Sequence, residues 1–211
     1  MIFYGKRVLF IGAHPDDIEL GAGALIHNIR GKSEVLCVTL SDNQKNTLLK
    51  NVVEEHRASM AVLGVRPEDD IIDTFETRKF PVARQEVLEY LLKLRREFKP
   101  HIIFCHSQND IHQDHNVVTQ EALRAYRGLT VLGFDVVRSS YNFFPHFMVE
   151  VTGVDVDKKI EALSKYKTYH DKYYFDPELL RATMIRHGAL AERDFAEGFD
   201  ILRVVGKFET C

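Results

Sequence analysis

Residues 7–17 read RVLFIGAHPDD, an apolar run that ends in a histidine, a proline and two aspartates. A short apolar run bounded by polar residues is typical of a strand that is buried on both faces of a sheet. A second run of this kind, HIIFCH, occupies residues 101–106, and a polar stretch, SQNDIHQDH, follows it at residues 107–115. Both units therefore predict a buried strand that ends in a polar loop.

The segments between and around these two units extend the pattern to an alternation of strands and helices. The predicted strands are Arg7–Ala13, Glu34–Leu40, Asp70–Phe75 and His101–His106, and the predicted helices between them are Leu20–Arg30, Leu48–Leu63 and Val82–Phe98. Gly64 and Pro100 follow the last two helices and are typical helix stops. This alternation indicates an α/β fold in which a mostly parallel central sheet carries helices on both faces.

The pattern is weaker after residue 130. Further strands are predicted at Val131–Ser140, Phe147–Thr152 and Gly198–Val205, and further helices at Asp157–Tyr169 and Pro177–Ala189. No linker-like stretch of Gly, Ser or Pro and no internal repeat separates this part from the rest. We therefore expect residues 1–211 to form a single domain.

Composition excludes several classes of partner. The 211 residues include 28 Lys+Arg and 31 Asp+Glu, and this formal net charge of -3 argues against nucleic acid as a partner. No segment approaches the ~20 apolar residues of a membrane span, and no signal peptide is recognised. Cys37, Cys105 and Cys211 are odd in number and far apart, which indicates a reducing compartment without disulfides. We expect a cytoplasmic protein that acts on a small molecule.

Two polar clusters lie where the first and fourth predicted strands end. In parallel sheets, ligands bind outside the carboxyl ends of the strands. The first cluster contains His14, Asp16 and Asp17, and the second contains His112, Asp114 and His115. Although they are far apart in the sequence, we expect the two loops to converge on one composite site.

The residue types in these clusters suit a metal-dependent hydrolase. A catalytic zinc typically takes three His or carboxylate ligands and leaves positions open for water and substrate. If His14, Asp17 and His115 bind the metal, Asp16 remains as a general base and His112 as a general acid. Asp114 or Asp110 would then orient the imidazole of His112. Zinc is the preferred metal, while iron or cobalt also suits this ligand set.

The same residues carry a resemblance to a known family. Residues 13–23 (AHPDDIELGAG) and 112–115 (HQDH) resemble the PIG-L/LmbE family of zinc-dependent N-deacetylases. The resemblance extends to Glu55, Leu63–Val65, Phe147–Thr152, Lys159–Leu163, Arg186–Gly188 and Ala196–Phe199, and so covers nearly the whole chain. It implies a Rossmann-like sheet and the removal of acetyl groups from N-acetylglucosamine-containing conjugates.

The resemblance also implies roles for single residues. It implies His14, Asp17 and His115 as zinc ligands, Asp16 as general base, His112 as the group that acts on the oxyanion and leaving amine, and Asp114 as support for the histidine pair. Many relatives have an Arg shortly before the helix-two Glu, where this chain has Asn51–Val53. Because that Arg is a plausible sugar contact, the departure bears on the substrate more than on the chemistry.

The resulting hypothesis is a zinc-dependent hydrolase that acts on a linear amide C–N bond. The expected substrate is an N-acetyl amino sugar conjugate, and the expected nucleophile is a zinc-bound water that releases acetate. Two alternatives stay open: a metal-dependent hydrolase of another bond, such as a phosphoester, and a non-catalytic sugar-binding module. The sequence does not identify the group to which the sugar is attached.

For several other residues, the sequence favours a structural role over a role in the site. His106 is expected to be a strand-end histidine with its own hydrogen bonds, and His56, His101 and His187 are expected at the surface or at helix ends. The aromatic run Tyr141–Phe147 suits the core, a contact in a homo-oligomer or a wall on which a sugar ring stacks. Gly21–Gly23 lacks the third glycine of a dinucleotide-binding turn, so no nucleotide cofactor is expected.

Overall fold

The structure is a computed structural model that describes residues 3–43, 45–46 and 49–206. Within these ranges the strands are β1 (Arg7–Gly12), β2 (Glu34–Thr39), β3 (Asp70–Ile72), β4 (Ile102–His106), β5 (Thr130–Phe134), β6 (Phe147–Glu150) and β7 (Ala196–Arg203). The α-helices are α1 (Asp17–Ile29), α2 (Val52–Leu63), α3 (Arg84–Phe98), α4 (Gln113–Ala125), α5 (Gly153–Leu163) and α6 (Pro177–Leu190). None of these helices combines the length and the apolarity that crossing a membrane would require.

The strands form one sheet in the order β3-β2-β1-β4-β5-β7-β6. Strands β1 to β5 run parallel to one another, while β7 is antiparallel to both β5 and β6. The chain moves outward from β1 in one direction to β2 and β3, and then continues on the other side of β1 with β4 and β5. Such a reversal of strand order opens a crevice beyond the carboxyl ends of β1 and β4.

Side chains of the central strands alternate between two hydrophobic layers, which explains why the strands read as continuous apolar runs. In β1, Val8 and Phe10 pack with residues of α1, α2 and α5, whereas Leu9 and Ile11 pack with residues of α3 and α4. The predicted α/β class, with a mostly parallel sheet between two helical layers, is confirmed. Strands β6 and β7, from the last third of the chain, extend the same sheet, and we propose that residues 1–211 are one domain.

Among the later elements, the boundaries differ most from the sequence prediction at β5 and α5. The strand predicted at Val131–Ser140 ends at Phe134, where the chain leaves the sheet for the crevice. The helix predicted at Asp157–Tyr169 is α5, and it begins earlier because Thr152 and Asp155 form a capping box. It also ends earlier, at Leu163.

Leu48 and Cys211 lie outside the described residues, while Cys37 and Cys105 are buried free thiols.

Helix α1 contains a break that contacts from the last third of the chain stabilise. Ala22 has non-helical dihedral angles (φ -145°, ψ 16°), so backbone N–H groups beyond it lack helical partners. The carboxylate of Glu197 accepts hydrogen bonds from the N–H groups of Ala24 and Leu25 at 3.1 and 2.7 Å. The buried Lys159 Nζ donates to both Glu197 and the carbonyl of Leu20, at 2.6 Å each. These contacts fix the first half of α1, which begins beside the crevice.

Candidate metal centre and crevice

The structure brings the two polar clusters together. Strands β1 and β4 are hydrogen-bonded neighbours, so the loop after β1 and the start of α4 meet at the same edge of the sheet. His14 Nδ1 and His115 Nε2 lie 3.3 Å apart. His14, Asp16, Asp17, His112 and His115 all line one crevice of about 580 Å³.

The turn after β1 is organised by Asp17. Its Oδ2 accepts hydrogen bonds from the backbone N–H groups of Ala13 and His14, at 3.1 and 2.8 Å. The preceding residue, Asp16, has a φ of 101°, a left-handed conformation that is uncommon outside glycine and costs on the order of 1–3 kcal/mol. No hydrogen bond to the Asp16 side chain is present among the described residues. The turn thus holds the Asp17 carboxylate in backbone hydrogen bonds, while the carboxylate of the preceding Asp16 lines the crevice without a hydrogen bond among the described residues.

His112 caps the N-terminus of α4. Its Nδ1 accepts a hydrogen bond from the backbone N–H of Asp114 at 3.2 Å, so a neutral ring carries its proton on Nε2. Burial and the neighbouring His115 and His14 lower the pKa of His112 to about 4. At neutral pH His112 is therefore an uncharged imidazole that can donate a hydrogen bond into the crevice.

Three ligand-type atoms form a nearly equilateral triangle, which we call the three-ligand cluster: His14 Nδ1, Asp17 Oδ2 and His115 Nε2. The sides measure 3.5 Å from His14 to Asp17, 3.4 Å from His115 to Asp17 and 3.3 Å from His14 to His115. Two ligand atoms bound at about 2.0–2.1 Å to a tetrahedral zinc lie roughly 3.3–3.4 Å from each other. The triangle therefore has the size and the donor types of a three-ligand metal site.

His106 lies beside this triangle but is a poorer ligand. Asp17, His106 and His115 lie close enough to form an alternative metal-binding group. The Nε2 of His106, however, accepts the backbone N–H of Ala13 at 3.0 Å, so its lone pair is already used. Burial and His115 lower its pKa to about 3, so the ring is neutral. Its Nδ1 is buried without a partner among the described residues, so the sequence expectation of a fully hydrogen-bonded histidine is only half correct.

Two aspartates of the α4 region orient the imidazoles of the three-ligand cluster. Asp110 Oδ2 lies 2.7 Å from His115 Nδ1, and Asp114 Oδ2 lies 3.0 Å from His14 Nε2. Carboxylates in these positions fix the orientation and tautomer of a ligating histidine and raise its basicity. The sequence placed Asp114 or Asp110 on His112, but the contact to the His112 ring comes from the backbone amide of Asp114.

The two adjacent aspartates have opposite electrostatic environments. Burial, followed by the charges of Asp17 and Glu19, holds the pKa of Asp16 well above its ordinary value. Burial also opposes ionisation of Asp17, but His115 and His106 outweigh it and hold its pKa well below the usual range. The pKa of His115 is raised to about 10 because Asp17 and Asp110 outweigh the effect of burial. One aspartate is therefore a persistent anion, and the other can hold a proton.

Sequence reasoning missed the walls of the crevice. These walls include Ser41, Asp42, Asn43, Phe75, Arg78, Val136, Arg138, Tyr169, Lys172 and Tyr174. Several of them follow β2, β3 and β5, so the rule that found the first two clusters could also have found them. Tyr169, Lys172 and Tyr174 come instead from the connection between α5 and α6, where no sequence motif indicates a site.

Two histidines expected at the surface or at helix ends are buried. His187 is buried in the last turn of α6, so its expected position at a helix end is confirmed. His56 is fully buried in what we call the His56 cluster: His56 Nε2 lies 3.0 Å from Asp70 Oδ1, and its Nδ1 lies 2.9 Å from the Tyr166 hydroxyl and 3.2 Å from Glu19 Oε1. Glu19 and Asp70 outweigh the effect of burial and raise the pKa of His56 to about 10. The surface position expected for His56 was wrong. The carboxylates that accept hydrogen bonds from its ring, those of Glu19 and Asp70, are distant from it in the sequence.

The aromatic run after β5 does not belong to the crevice. Tyr141 and Phe144 are 74% and 55% exposed, so the core interpretation is wrong for both. Neither residue lines the crevice beside the three-ligand cluster. A contact between copies of the chain and a more distant sugar contact remain as interpretations of these two rings.

Comparison with known proteins identifies related sequences. The model of the PIG-L family, described as GlcNAc-PI de-N-acetylase, matches residues 9–126, which is more than half of the chain. The uncharacterized deacetylase YaiS of Escherichia coli K12 is 28% identical over 170 residues, covering 77% of this chain and 91% of that protein. The family match contains both polar clusters.

Solved structures with the same fold have diverse activities. N,N'-diacetylchitobiose deacetylase from Pyrococcus horikoshii superposes with a TM-score of 0.77 at 20% identity, covering 93% of this chain and 84% of that one. GalB from Pseudomonas putida KT2440, a 4-carboxy-2-hydroxymuconate hydratase, superposes with a TM-score of 0.76 at 19% identity, covering 98% and 100%. At these identities the likeness establishes the fold, and the reaction has to be argued from the site.

Proposed function

Because this chain belongs to the PIG-L family of GlcNAc-PI de-N-acetylases, we propose that it is a metal-dependent N-deacetylase. The reaction is hydrolysis of the acetamide of an N-acetyl amino sugar conjugate, which releases acetate and a free amine. The observation that carries the proposal is the three-ligand cluster, with sides of 3.3–3.5 Å, beside Asp16, whose side chain has no hydrogen-bond partner among the described residues.

We assign His14, Asp17 and His115 as the metal ligands and zinc as the metal. When bound, zinc polarises the acetamide carbonyl and lowers the pKa of a water molecule, which becomes the nucleophile. Iron or cobalt also suits this set of nitrogen and oxygen ligands. The orienting contacts from Asp110 and Asp114 support the assignment, because ligating histidines commonly donate their second N–H to a carboxylate.

Asp16 acts as the general base in this proposal. Its carboxylate lines the crevice next to the ligand Asp17, and its pKa is raised by burial and by the neighbouring carboxylates. A raised pKa brings a carboxylate closer to the working pH, where it takes and returns a proton most effectively. The left-handed backbone of Asp16 sets the position of this side chain, which makes no cap hydrogen bond to α1.

His112 stabilises the oxyanion as a neutral hydrogen-bond donor. It protonates the leaving amine only after it has gained the proton that Asp16 removes from the water, because a neutral imidazole has no acidic proton to give near neutral pH. Its Nε2–H is available because Nδ1 accepts the backbone amide of Asp114. A neutral imidazole donates a hydrogen bond to developing negative charge, and removal of one such donor typically costs 10²–10³ in rate. Asp114 contributes through this amide and through its carboxylate on His14, and is therefore a positioning residue.

We propose that the reaction takes place in the cytoplasm.

The proposal is tested by metal analysis and acetate release. Purified protein loaded with zinc is expected to hold one ion per chain and to release acetate from N-acetylglucosamine derivatives. Asp16→Ala should keep the metal and lose nearly all turnover, whereas His14→Ala should lose the metal itself. No bound metal and no acetate after zinc loading would refute the proposal, and equal loss of metal in both variants would mean that base and ligand are exchanged.

The same measurements separate the alternatives. A phosphoesterase with two metal ions needs bridging carboxylates and would bind two ions per chain. A non-catalytic sugar-binding module would be stabilised against heat by sugars without releasing acetate. One ion per chain together with acetate release is expected only of the deacetylase.

A further inference from the structure

The carboxylate of Asp110 accepts hydrogen bonds from three groups in the described part of the chain, and one of them lies outside both polar clusters. Its Oδ1 accepts the backbone N–H of His112 at 2.8 Å. Its Oδ2 accepts the Nδ1–H of His115 at 2.7 Å and the hydroxyl of Ser139 at 2.8 Å. Ser139 is buried in the turn that follows β5. A serine far away in the sequence thus contacts the carboxylate that orients His115.

The backbone of Ser139 is tied to the loop after β4 independently of this hydroxyl. Its carbonyl accepts the N–H of Ile111 at 2.9 Å, and the next residue, Ser140, forms a β-bridge with Asp110. The N–H of Ser139 donates to the carbonyl of Val136 at 2.8 Å, which closes the turn. Because these contacts use backbone groups alone, loss of the Ser139 hydroxyl leaves the turn docked against Asp110.

The Ser139 hydroxyl and the His115 ring share one oxygen of Asp110. A hydroxyl that donates to a carboxylate forms a charge-assisted hydrogen bond, which is shorter and stronger than a neutral one. A second acceptor near this hydroxyl, the carbonyl of Val136, lies farther away at 3.5 Å. The hydroxyl therefore holds Asp110 Oδ2 in place, and this oxygen fixes the direction of the Nδ1–H of His115. The Nε2 lone pair of His115 then points into the three-ligand cluster.

We propose that Ser139 is a positioning residue for the metal ligand His115 and that it acts through the carboxylate of Asp110. This inference rests on the proposed function, since it concerns a ligand of the proposed metal. The hydroxyl adds no charge to the site, so its contribution is geometric. The turn after β5 also places Val136 and Arg138 in the lining of the crevice. One short segment thus forms a wall of the crevice and supports the metal centre.

The first test compares the zinc affinity of two serine variants by competition with a chelator. Ser139→Ala is expected to bind zinc about fivefold more weakly than the wild type, which is less than the 10–100-fold typical of a residue that contacts the ligand directly. Ser140→Ala is the matched control. It deletes the same atom in the same turn, and its hydroxyl accepts the backbone N–H of Val136 at 3.3 Å. Ser140→Ala should keep the wild-type affinity.

A double-mutant cycle tests whether Ser139 acts through Asp110. In an Asp110→Ala background the hydroxyl has lost its carboxylate, so adding Ser139→Ala should change the zinc affinity by less than about twofold. A further fivefold loss in the double variant would show that Ser139 acts independently of Asp110 and would overturn the proposal.

Cobalt loading supplies a spectroscopic measurement that needs only the single variants. The visible absorption of bound cobalt depends on the geometry of its ligands. We expect Ser139→Ala to shift these bands and Ser140→Ala to leave them unchanged, whereas a purely structural role of Ser139 would lower stability without altering the spectrum. Wild-type zinc affinity and a wild-type cobalt spectrum in Ser139→Ala would overturn this inference alone. Failure of the wild type to bind either metal would refute the proposed function as well.

Discussion

Two buried polar clusters lie along the first turns of α1, and they differ in how their hydrogen-bonding groups are matched. The His56 cluster contains an imidazole with a donor on each nitrogen when protonated, and it faces the carboxylates Glu19 and Asp70. The three-ligand cluster contains two imidazole nitrogens and a carboxylate oxygen that all point at one another within 3.3–3.5 Å. The first cluster pairs its imidazole with opposite charges, although Glu19 Oε2 has no hydrogen-bond partner among the described residues. The second cluster needs protons or a cation between its lone pairs.

The difference between the two clusters shows that buried polar groups can serve either the stability of the fold or the binding of a ligand. A buried charge that finds opposite charges within the protein contributes to a specific fold, and removing its partner is costly. A buried set of acceptors without matching donors is costly to the fold and is suited to a ligand. The His56 cluster is expected to affect stability, and the three-ligand cluster is expected to affect metal binding and turnover.

The largest effect is expected from His14→Ala. Loss of one of three ligands should abolish stoichiometric zinc and lower acetate release by at least about a thousandfold, because the nucleophilic water depends on the metal. The unfolding free energy of the metal-free protein should fall less than in His56→Leu, because Asp114 Oδ2 loses its contact with His14 Nε2 but keeps the backbone N–H of Arg78. Zinc analysis, acetate assays and urea unfolding measure the three quantities. Retained zinc at wild-type stoichiometry would contradict the ligand assignment.

His56→Leu is expected to show the opposite pattern. The substitution leaves the buried carboxylates of Glu19 and Asp70 without their shared donor and should lower the unfolding free energy by about 3–5 kcal/mol. Zinc stoichiometry of the folded fraction should not change. The matched control is His170→Ala, an exposed histidine, for which less than about 0.5 kcal/mol is expected. If both variants are equally stable, the His56 cluster does not have the role that we assign to it.

Asp110→Asn tests a carboxylate that contacts a ligand of the three-ligand cluster without being a ligand itself. Its Oδ2 lies 2.7 Å from His115 Nδ1, and loss of such a charged partner typically lowers metal affinity by 10–100-fold. Competition with a chelator measures the zinc affinity. Asp157→Asn, which removes a carboxylate that pairs with Arg181 at the surface, should leave the affinity as it is. An unchanged affinity in Asp110→Asn would show that His115 does not depend on this contact.

The smallest effect is a pH dependence of stability. The pKa of His56 is raised from 6.5 to about 10 in the folded protein, so its contribution to stability is complete below pH 6.5 and is lost as the pH rises through about 10. Glu19 stays ionised in this window because its pKa is lowered, and the pKa of Tyr166 is raised. The difference in unfolding free energy between wild type and His56→Leu should therefore shrink from pH 6 to pH 10. A constant difference would indicate that His56 is neutral in the folded state.

The fold was predictable because its signals are local. The strand of residues 7–13 and the strand of residues 101–106 are continuous apolar runs, and the structure places β1 and β4 within one residue of these bounds. The end of α5 was not predictable in the same way, because Tyr169 continues an apolar pattern although the chain turns at Ser164. The buried position of His56 depends on Asp70 and Tyr166, which no spacing rule relates to it.

By itself, the sequence determined the alternation of strands and helices, the class of fold and the positions of the two polar clusters after β1 and β4. These features follow from hydrophobic periodicity and from turn chemistry, which operate over a few neighbouring residues. Only the tertiary structure decided which lone pairs converge, which histidine is already occupied by a backbone N–H, and which hydroxyl reaches Asp110. Those outcomes depend on distances of about 3 Å between groups far apart in the chain, and packing and strand order, rather than local pattern, set such distances.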